Sequence, residues 1–122
     1  MRALIVDDSR ATRSIIGRIL KEIGFETFEA GHGKEGLDRL KEFGCPDIML
    51  VDWNMPEMNG YDFVCAVRAI PEYNNVPLMM VTSETEISQM ARALEAGANE
   101  YVMKPFTKEV IADKLAILGV VT

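Results

Sequence analysis

Short apolar runs alternate along the chain with longer segments in which apolar residues recur every three or four positions. Each run is only a few residues long and ends at polar or turn-forming residues, which is typical of a strand buried within a sheet. The second run carries acidic residues among its apolar ones, so it is predicted to lie at a sheet edge. The predicted strands cover residues 3–6, 25–30, 48–52, 78–81 and 101–103.

The segments between and after these runs predict five helices, because apolar residues spaced by three and four positions form one face of a helix. Ser9 and Thr107 are predicted to cap the first and last helices. Gly24 and Gly97 are placed to end the first and fourth helices, and Pro71 to stop the third. The predicted apolar faces are Ala11, Ile15, Ile16, Ile19, Leu20 and Ile23; Leu37, Leu40 and Phe43; Phe63, Val64, Val67 and Ile70; Ile87, Met90, Ala91 and Leu94; and Val110, Ile111, Leu115 and Leu118.

Strands and helices alternate five times, which is the signature of parallel β-α-β units. Right-handed crossovers place the connecting helices on both faces of such a sheet. Five strands suit the flavodoxin-like, doubly wound arrangement with strand order 2-1-3-4-5. The prediction is therefore an α/β fold in which residues 1–122 form a single domain, with no separate effector domain.

The composition excludes several classes of protein. A formal net charge of -6, from 13 Lys and Arg against 19 Asp and Glu, argues against a nucleic-acid-binding face, which needs a basic stripe. No apolar stretch approaches the roughly 18 residues of a membrane span, and the N-terminal sequence does not resemble a secretory signal, so we expect a cytoplasmic protein without a membrane partner. The single histidine, His32, excludes a histidine-based triad or a multi-histidine metal site, and Cys45 and Cys65 are expected to be free thiols.

Residues of use in phosphate chemistry occur at the ends of four of the predicted strands. Asp7 and Asp8 follow the first strand, Asp52 ends the third, Thr82 follows the fourth and Lys104 follows the fifth. The carboxyl ends of parallel strands meet at one edge of a sheet, so these side chains are predicted to converge there. The first and third strands are neighbours in the predicted order, which places three carboxylates close together.

Three crowded carboxylates are costly unless a cation compensates their charge, and an all-oxygen set of ligands suits Mg²⁺. A carboxylate beside such an ion can attack a phosphoryl group and form an acyl phosphate, with Asp52 as the candidate nucleophile. Thr82 and Lys104 can stabilise the charge on the phosphoryl oxygens. Each residue alone also has a simpler role, as a helix-start acid, a strand-end cap or a solvated charge. Their convergence at one edge favours the phosphoryl chemistry.

The same residues resemble the receiver domains of two-component response regulators, of the CheY-like chemotaxis type, over essentially the whole chain. Five motifs in the family's order make this a specific signal. The resemblance also implies a cis peptide bond between Lys104 and Pro105. The motifs are Val6-Asp7-Asp8-Ser9, Val51-Asp52-Trp53-Asn54-Met55-Pro56 with Gly60, Thr82-Ser83, Ala96-Gly97-Ala98 and Lys104-Pro105-Phe106.

The resemblance implies a phosphorelay role for the acidic residues. Asp52 would accept phosphate from a sensor histidine kinase, which would make the chain a phosphoprotein in signal transduction. Mg²⁺ would be bound by Asp8 and Asp52, by the backbone carbonyl of Asn54, and by Asp7 mostly through water.

The resemblance also implies a switch. Thr82 and Lys104 would bind the phosphoryl oxygens, and Tyr101 would move inward when Thr82 is drawn to the phosphate. The surface of the fourth helix, fifth strand and fifth helix would then change its affinity for a downstream target protein. Asn54 and Glu84 would tune dephosphorylation by flanking the path of the attacking water.

These features favour a stand-alone, monomeric response regulator that acts in chemotaxis and catalyses only its own phosphorylation and dephosphorylation. A phosphorelay intermediate outside chemotaxis stays open as an alternative, as does a haloacid dehalogenase-like phosphatase. Such a phosphatase would carry an Asp acid/base where the chain has Asn54, and a substrate cap for which the chain has no room. An FMN-binding flavodoxin would need a Ser/Thr/Gly-rich phosphate loop where the chain has Asp7-Asp8-Ser9-Arg10.

Overall fold

The computed structural model describes residues 1–121 of the chain. Its parallel strands are β1 (Arg2–Val6), β2 (Glu26–Ala30), β3 (Ile48–Asp52), β4 (Leu78–Thr82) and β5 (Glu100–Met103). They form one sheet in the order β2-β1-β3-β4-β5, which confirms the predicted order and the edge position of β2. At the carboxyl end of β1, Val6 lies between Ala30 of β2 and Val51 of β3.

The helices are α1 (Arg10–Ile23), α2 (Gly33–Phe43), α3 (Gly60–Arg68), α4 (Met90–Ala96) and α5 (Lys108–Ile117). The 3₁₀ segments Pro71–Tyr73 and Glu84–Gln89 precede β4 and α4. Both predicted N-caps are confirmed: the hydroxyl of Ser9 accepts a hydrogen bond from the amide of Thr12, and the hydroxyl of Thr107 accepts one from the amide of Val110, each at 3.2 Å. Within residues 1–121, none of these helices has the length and apolar character needed to cross a bilayer.

The helices cover both faces of the sheet, as the alternation predicts. On one face, Leu40, Phe63 and Met90 of α2, α3 and α4 are buried against the strands. On the other face, Ile16 of α1 and Ile111 of α5 are buried. Every residue of β3 is buried between these two layers. The fold therefore carries the end of β3 to the middle of the sheet's carboxyl edge.

The predicted apolar face of the fourth helix is wrong. Met90 is buried, but Ile87, Ala91 and Leu94 are exposed. The 3₁₀ segment Glu84–Gln89, which contains the first of these residues, buries none of its side chains. A 3₁₀-helix has three residues per turn instead of 3.6. Residues spaced by three and four positions across the junction with α4 therefore do not lie on one face.

Four further apolar residues assigned to helix faces also lie at the surface: Ala11 and Ile15 of α1, Phe43 of α2 and Val110 of α5. At Ile15 and Val110 the next residue along the chain is also apolar, and that residue is buried instead. Consecutive residues of a helix point in directions about 100° apart, so a helix lying on a sheet seldom buries both. Phe43 instead stacks on Phe28 of β2, with ring centroids 4.2 Å apart.

The predicted end of the third helix is also wrong, because α3 ends at Arg68 and Pro71 opens a 3₁₀ segment instead of stopping an α-helix. Ile70 therefore lies outside the helix. The guanidinium of Arg68 donates hydrogen bonds to the carbonyls of Tyr73 at 2.7 Å and Val76 at 2.8 Å. These contacts hold the chain in a compact turn between α3 and β4.

Candidate functional site

The carboxyl edge of the sheet gathers the predicted acidic residues. Asp7 directly follows β1, and Asp52 is the last residue of β3. Because β1 and β3 pair side by side, carboxylate oxygens of Asp7, Asp8 and Asp52 all lie within 4.8 Å of one another. We call these three residues the acidic cluster. The predicted crowding of negative charge is therefore present.

Asp7 is the most buried member of the acidic cluster, with 1% of its surface exposed. Its Oδ1 accepts a hydrogen bond from the amide of Ser9 at 2.8 Å, whereas its Oδ2 has no hydrogen-bond partner among the described residues. Burial raises the pKa of Asp7, and the hydrogen bond from Ser9 and the charge of Lys104 oppose the rise. A buried carboxylate oxygen without a partner calls for an explanation, and an open position for a cation provides one.

Asp52 is also buried, with 4% of its surface exposed. Burial raises the pKa of Asp52 from 3.8 to about 6; the charge of Asp7 adds to the rise, and the ammonium of Lys104 opposes it. Because the pKa remains raised, the ammonium of Lys104 does not offset the combined effect of burial and the neighbouring carboxylate.

Lys104 directly follows β5, and its side chain reaches the acidic cluster across the intervening strand β4. Its Nζ lies 3.3 Å from Oδ1 of Asp52 and 4.0 Å from Oδ2 of Asp7. Its backbone amide donates a hydrogen bond to the carbonyl of Thr82 at 2.8 Å, which ties the end of β5 to the end of β4. The Lys104–Pro105 peptide bond is cis, as the resemblance implies.

The loop between β3 and α3 holds Asp52 in place through its backbone. The amide of Trp53 donates to the carbonyl of Val81 at 3.1 Å, and the amide of Gly60 donates to the carbonyl of Trp53 at 2.9 Å. A Cβ at Gly60 would lie 2.6 Å from the carbonyl oxygen of Asp52. Any side chain at this position would displace the backbone that carries the carboxylate, so the close approach requires glycine.

The acidic cluster suits a hard divalent cation such as Mg²⁺. All of its donors are oxygens, one of them is Oδ2 of Asp7, which has no hydrogen-bond partner among the described residues, and Asp8 is exposed so that water can complete a coordination shell. Zinc favours nitrogen and sulfur ligands, and the cluster contains neither His nor Cys.

Thr82 lies at the end of β4, as predicted, but its side chain does not bond to the acidic cluster. Thr82 is completely buried, and its hydroxyl donates a hydrogen bond to the carbonyl of Ser83 at 3.3 Å. Tyr101 is half-buried on β5, with the ammonium of Lys114 5.4 Å from its ring centre. The two predicted switch residues thus lie on the neighbouring strands β4 and β5, and within residues 1–121 neither side chain forms a hydrogen bond with Asp52.

Asn54 and Glu84 are both exposed. Asn54 follows Trp53 in the loop after β3, and Glu84 begins the 3₁₀ segment after β4. They extend from loops that follow neighbouring strands, so both stand at the carboxyl edge that carries the acidic cluster.

Arg13 belongs to the site although no sequence pattern singles it out. Its Nη1 donates a hydrogen bond to the backbone carbonyl of Asp7 at 2.6 Å, and its Nε donates one to the carboxylate of Glu29 at 3.0 Å. The only signal in the sequence is its position one turn after the N-cap Ser9, where a long side chain can fold back toward the start of α1.

Comparison with known proteins decides the family of this fold and site. Residues 3–116 match the family model described as the response regulator receiver domain. The chain belongs to the response regulator receiver domain family. This confirms the resemblance found in the sequence, and it decides against the phosphatase and flavodoxin alternatives.

The receiver domain is similar to proteins of bacterial chemotaxis over nearly its whole length. It is 41% identical over 119 residues to the chemotaxis protein CheY1 of Helicobacter pylori, covering 97% of this chain and 96% of that protein. It is 43% identical over 121 residues to a CheY homolog of Campylobacter jejuni, covering 98% and 93%. The solved structure of Vibrio cholerae CheY4 has a TM-score of 0.89 and 32% identity, covering 96% of this chain and 97% of that one.

Proposed function

We propose that Asp52 of this receiver domain accepts a phosphoryl group from a sensor histidine kinase. One observation carries the proposal: the buried carboxylate of Asp52 ends the central strand, within 4.8 Å of two other carboxylates and 3.3 Å from the ammonium of Lys104. A carboxylate oxygen of Asp52 attacks phosphorus, the bond to the donor's histidine nitrogen breaks, and that nitrogen keeps the electron pair. The product is an acyl phosphate that stays on the chain.

Mg²⁺ is the proposed cofactor, held by Asp8, by Asp52 and by the backbone carbonyl of Asn54, with Asp7 acting mostly through water. When bound, the ion supplies positive charge that offsets both the carboxylates and the phosphoryl oxygens. Oδ2 of Asp7, which accepts no hydrogen bond from the described residues, and the raised pKa of Asp52 support this assignment, because both mark buried negative groups whose charge Lys104 only partly compensates.

Lys104 and Thr82 are proposed to bind the transferred group. The ammonium of Lys104 already lies beside Asp52 and can pair with a phosphoryl oxygen without a large movement. The hydroxyl of Thr82 donates to Ser83 in this structure, so it has to turn to donate to a phosphoryl oxygen. The domain catalyses only its own phosphorylation and dephosphorylation, and in that sense it is not an enzyme.

The output of the switch is proposed to be a changed protein-binding surface, the α4–β5–α5 face, which consists of the outward surfaces of these elements. When Thr82 turns toward the phosphoryl group, Tyr101 moves inward and alters this face. The face offers apolar contacts for a downstream target protein because Leu94, Met103 and Val110 are exposed large side chains.

Chemotaxis is the proposed setting, supported by the chemotaxis relatives of 41% and 43% identity. The domain would act as a cytoplasmic monomer whose partners are a histidine kinase and a target protein, without nucleic acid or membrane contacts. Deletion of the coding sequence tests the setting: flagellated cells that swim but no longer change direction in gradients would support it. Unchanged chemotaxis would favour a phosphorelay intermediate in another pathway.

Phosphorylation by a small donor tests the chemical proposal. Purified protein is incubated with acetyl phosphate, with Mg²⁺ or with EDTA, and phosphoryl incorporation is followed by intact mass. We expect incorporation only with Mg²⁺, and none in Asp52→Asn. Asp38→Asn, which neutralises an exposed carboxylate of α2, is the matched control and is expected to behave as the wild type. Incorporation in Asp52→Asn at the wild-type rate would overturn the assignment.

A further inference from the structure

The backbone of Asp7 is fixed on both of its polar groups. Its amide donates a hydrogen bond to the carbonyl of Ala30 in β2 at 3.0 Å. Its carbonyl accepts a hydrogen bond from Nη1 of Arg13 at 2.6 Å. The first contact belongs to the sheet, whereas the second comes from a side chain of α1 that reaches back to the turn before its own helix.

Arg13 is itself held in place. Its Nε donates to Oε1 of Glu29 at 3.0 Å, and 17% of its side chain is exposed. Its backbone amide donates to the carbonyl of Ser9 at 3.0 Å, in the first turn of α1. One guanidinium thus links β2, α1 and the carbonyl of Asp7, and a planar fork with several donors is suited to such a link.

The carbonyl held by Arg13 belongs to the peptide unit between Asp7 and Asp8. Because a peptide unit is planar, fixing this carbonyl also fixes the plane from which the Cα of Asp8 extends. Among residues 1–121, the carboxylate of Asp8 forms no hydrogen bond or ion pair that would orient it otherwise. The direction of the Asp8 side chain therefore depends on the backbone that Arg13 holds.

We propose that Arg13 is a positioning residue for the divalent cation: it orients the Asp7–Asp8 peptide so that the Asp8 carboxylate meets those of Asp7 and Asp52. This inference rests on the proposed Mg²⁺ site and deepens it. Groups that hold the ligands of a metal in place typically contribute 10- to 100-fold to its affinity.

A purely electrostatic role for Arg13 makes the opposite prediction. A cation beside the acidic cluster repels Mg²⁺, so removal of its charge alone would strengthen Mg²⁺ binding. Loss of positioning weakens binding instead. The sign of the change in Mg²⁺ affinity on Arg13→Met therefore separates the two roles.

The test measures the Mg²⁺ dissociation constant by isothermal titration calorimetry for the wild type, Arg13→Met and Arg13→Lys. Arg39→Met is the matched control. The guanidinium of Arg39, on α2, also binds Glu29, by donating a hydrogen bond to the backbone carbonyl of Glu29 at 3.1 Å. We expect about tenfold or greater weakening in Arg13→Met. We also expect weakening in Arg13→Lys, whose charge is kept but whose single ammonium cannot reproduce the fork. Arg39→Met should remain within about twofold of the wild type.

Phosphorylation kinetics provide a second readout that loss of stability alone would not reproduce. In the Arg13 variants, the Mg²⁺ concentration for half-maximal phosphorylation by acetyl phosphate should rise, while the rate at saturating Mg²⁺ should stay near that of the wild type. If Arg13→Met does not fold, as judged by circular dichroism, Arg13→Lys decides the question.

The outcomes also distinguish this inference from the proposed function. Unchanged or tighter Mg²⁺ binding in the folded Arg13 variants would overturn the positioning role and leave the Mg²⁺ site intact. A wild-type protein that binds no Mg²⁺ would instead overturn the metal site on which the inference rests.

Discussion

The ammonium of Lys104, which directly follows β5, lies 3.3 Å from Oδ1 of Asp52 at the end of β3, with β4 between the two strands. This ion pair places a permanent positive charge at the carboxylate that is proposed to attack phosphorus. Lys104 opposes the rise in the pKa of Asp52 but does not cancel it, because burial and the charge of Asp7 outweigh it. Lys104 alone therefore leaves the carboxylates at this edge of the sheet without full compensation of their charge.

Without Mg²⁺, the domain should lose stability as the pH rises from about 4 to about 6. The pKa of Asp52 is raised from 3.8 in the unfolded chain to about 6 in the folded one, so its contribution to stability is complete below 3.8 and is lost as the pH rises through 6. The loss is on the order of 3 kcal/mol. The raised pKa of Asp7 acts in the same direction.

Chemical denaturation in EDTA across this pH range measures the effect. Asp52→Asn should show a flatter profile and should be more stable than the wild type at pH 7.5, because a neutral amide removes a buried charge. A loss of stability between pH 4 and 6 that is no larger in the wild type than in Asp52→Asn would contradict the raised pKa.

Mg²⁺ should stabilise the wild type by mass action, by about 2.7 kcal/mol at a concentration 100 times the dissociation constant. Asp8→Ala should reduce the gain because it removes a carboxylate ligand. The same change should stabilise the metal-free protein, since it removes repulsion within the acidic cluster. Thermal unfolding with and without Mg²⁺ gives both quantities. Asp38→Ala, which removes an exposed carboxylate from α2, should keep the full Mg²⁺ response.

The lifetime of the phosphorylated form should depend on Asn54 and Glu84. Both are exposed at the carboxyl edge, where polar side chains can hydrogen-bond the water that hydrolyses the acyl phosphate. Asn54→Arg should lengthen the lifetime several-fold because a bulky basic side chain blocks that water. The measurement is the decay of phosphorylated protein after removal of the donor.

The control for these lifetimes is Glu95→Ala, which removes an exposed carboxylate of α4. If Glu84 only favours the start of its helical segment, Glu84→Ala will change stability and leave the decay rate alone. Equal decay rates for the wild type, Asn54→Arg and Glu84→Ala would show that neither position sets the lifetime.

Arg68→Met should destabilise the domain by about 2–4 kcal/mol. The guanidinium donates to the carbonyl of Gly97 at 3.0 Å and to Oδ1 of Asn99 at 3.0 Å, in addition to the carbonyls before β4. Loss of these bonds removes the guanidinium donor from the part-buried carbonyls of Val76 and Gly97. Urea denaturation measures the change, and Arg39→Met, which loses exposed contacts, should cost less than 1 kcal/mol, roughly the limit for a surface ion pair. Equal losses in both variants would contradict this role.

The convergence of Asp7, Asp8, Asp52 and Lys104 was predictable because the strands that carry them are short apolar runs with the functional residues at their ends. Parallel pairing then brings those ends together without any knowledge of side-chain geometry. The strand order came from the usual arrangement of five-stranded doubly wound sheets rather than from individual residues. The family's spaced motifs added the cis peptide bond before Pro105, which no local pattern would have indicated.

Long-range side-chain contacts were not predictable. Arg13 and Arg68 bind backbone carbonyls, and carbonyls are present at every residue, so the sequence carries no mark of which one an arginine will reach. The buried side of α4 was mispredicted for a different reason. The 3₁₀ segment before α4 changes the turn angle, so that Ile87 and Leu94 face outward although their spacing is helical.

The most direct test of Asp52 as the phosphoacceptor is to locate the acyl phosphate on the chain. The protein is phosphorylated with acetyl phosphate and Mg²⁺, then treated with sodium borohydride, which reduces an aspartyl phosphate to homoserine and releases phosphate. Peptide mass spectrometry then identifies the position of the homoserine. We predict homoserine at position 52 alone, and none when Mg²⁺ or the donor is omitted. Homoserine at position 7 or 8 instead, or phosphate found only on serine or threonine, would contradict the assignment.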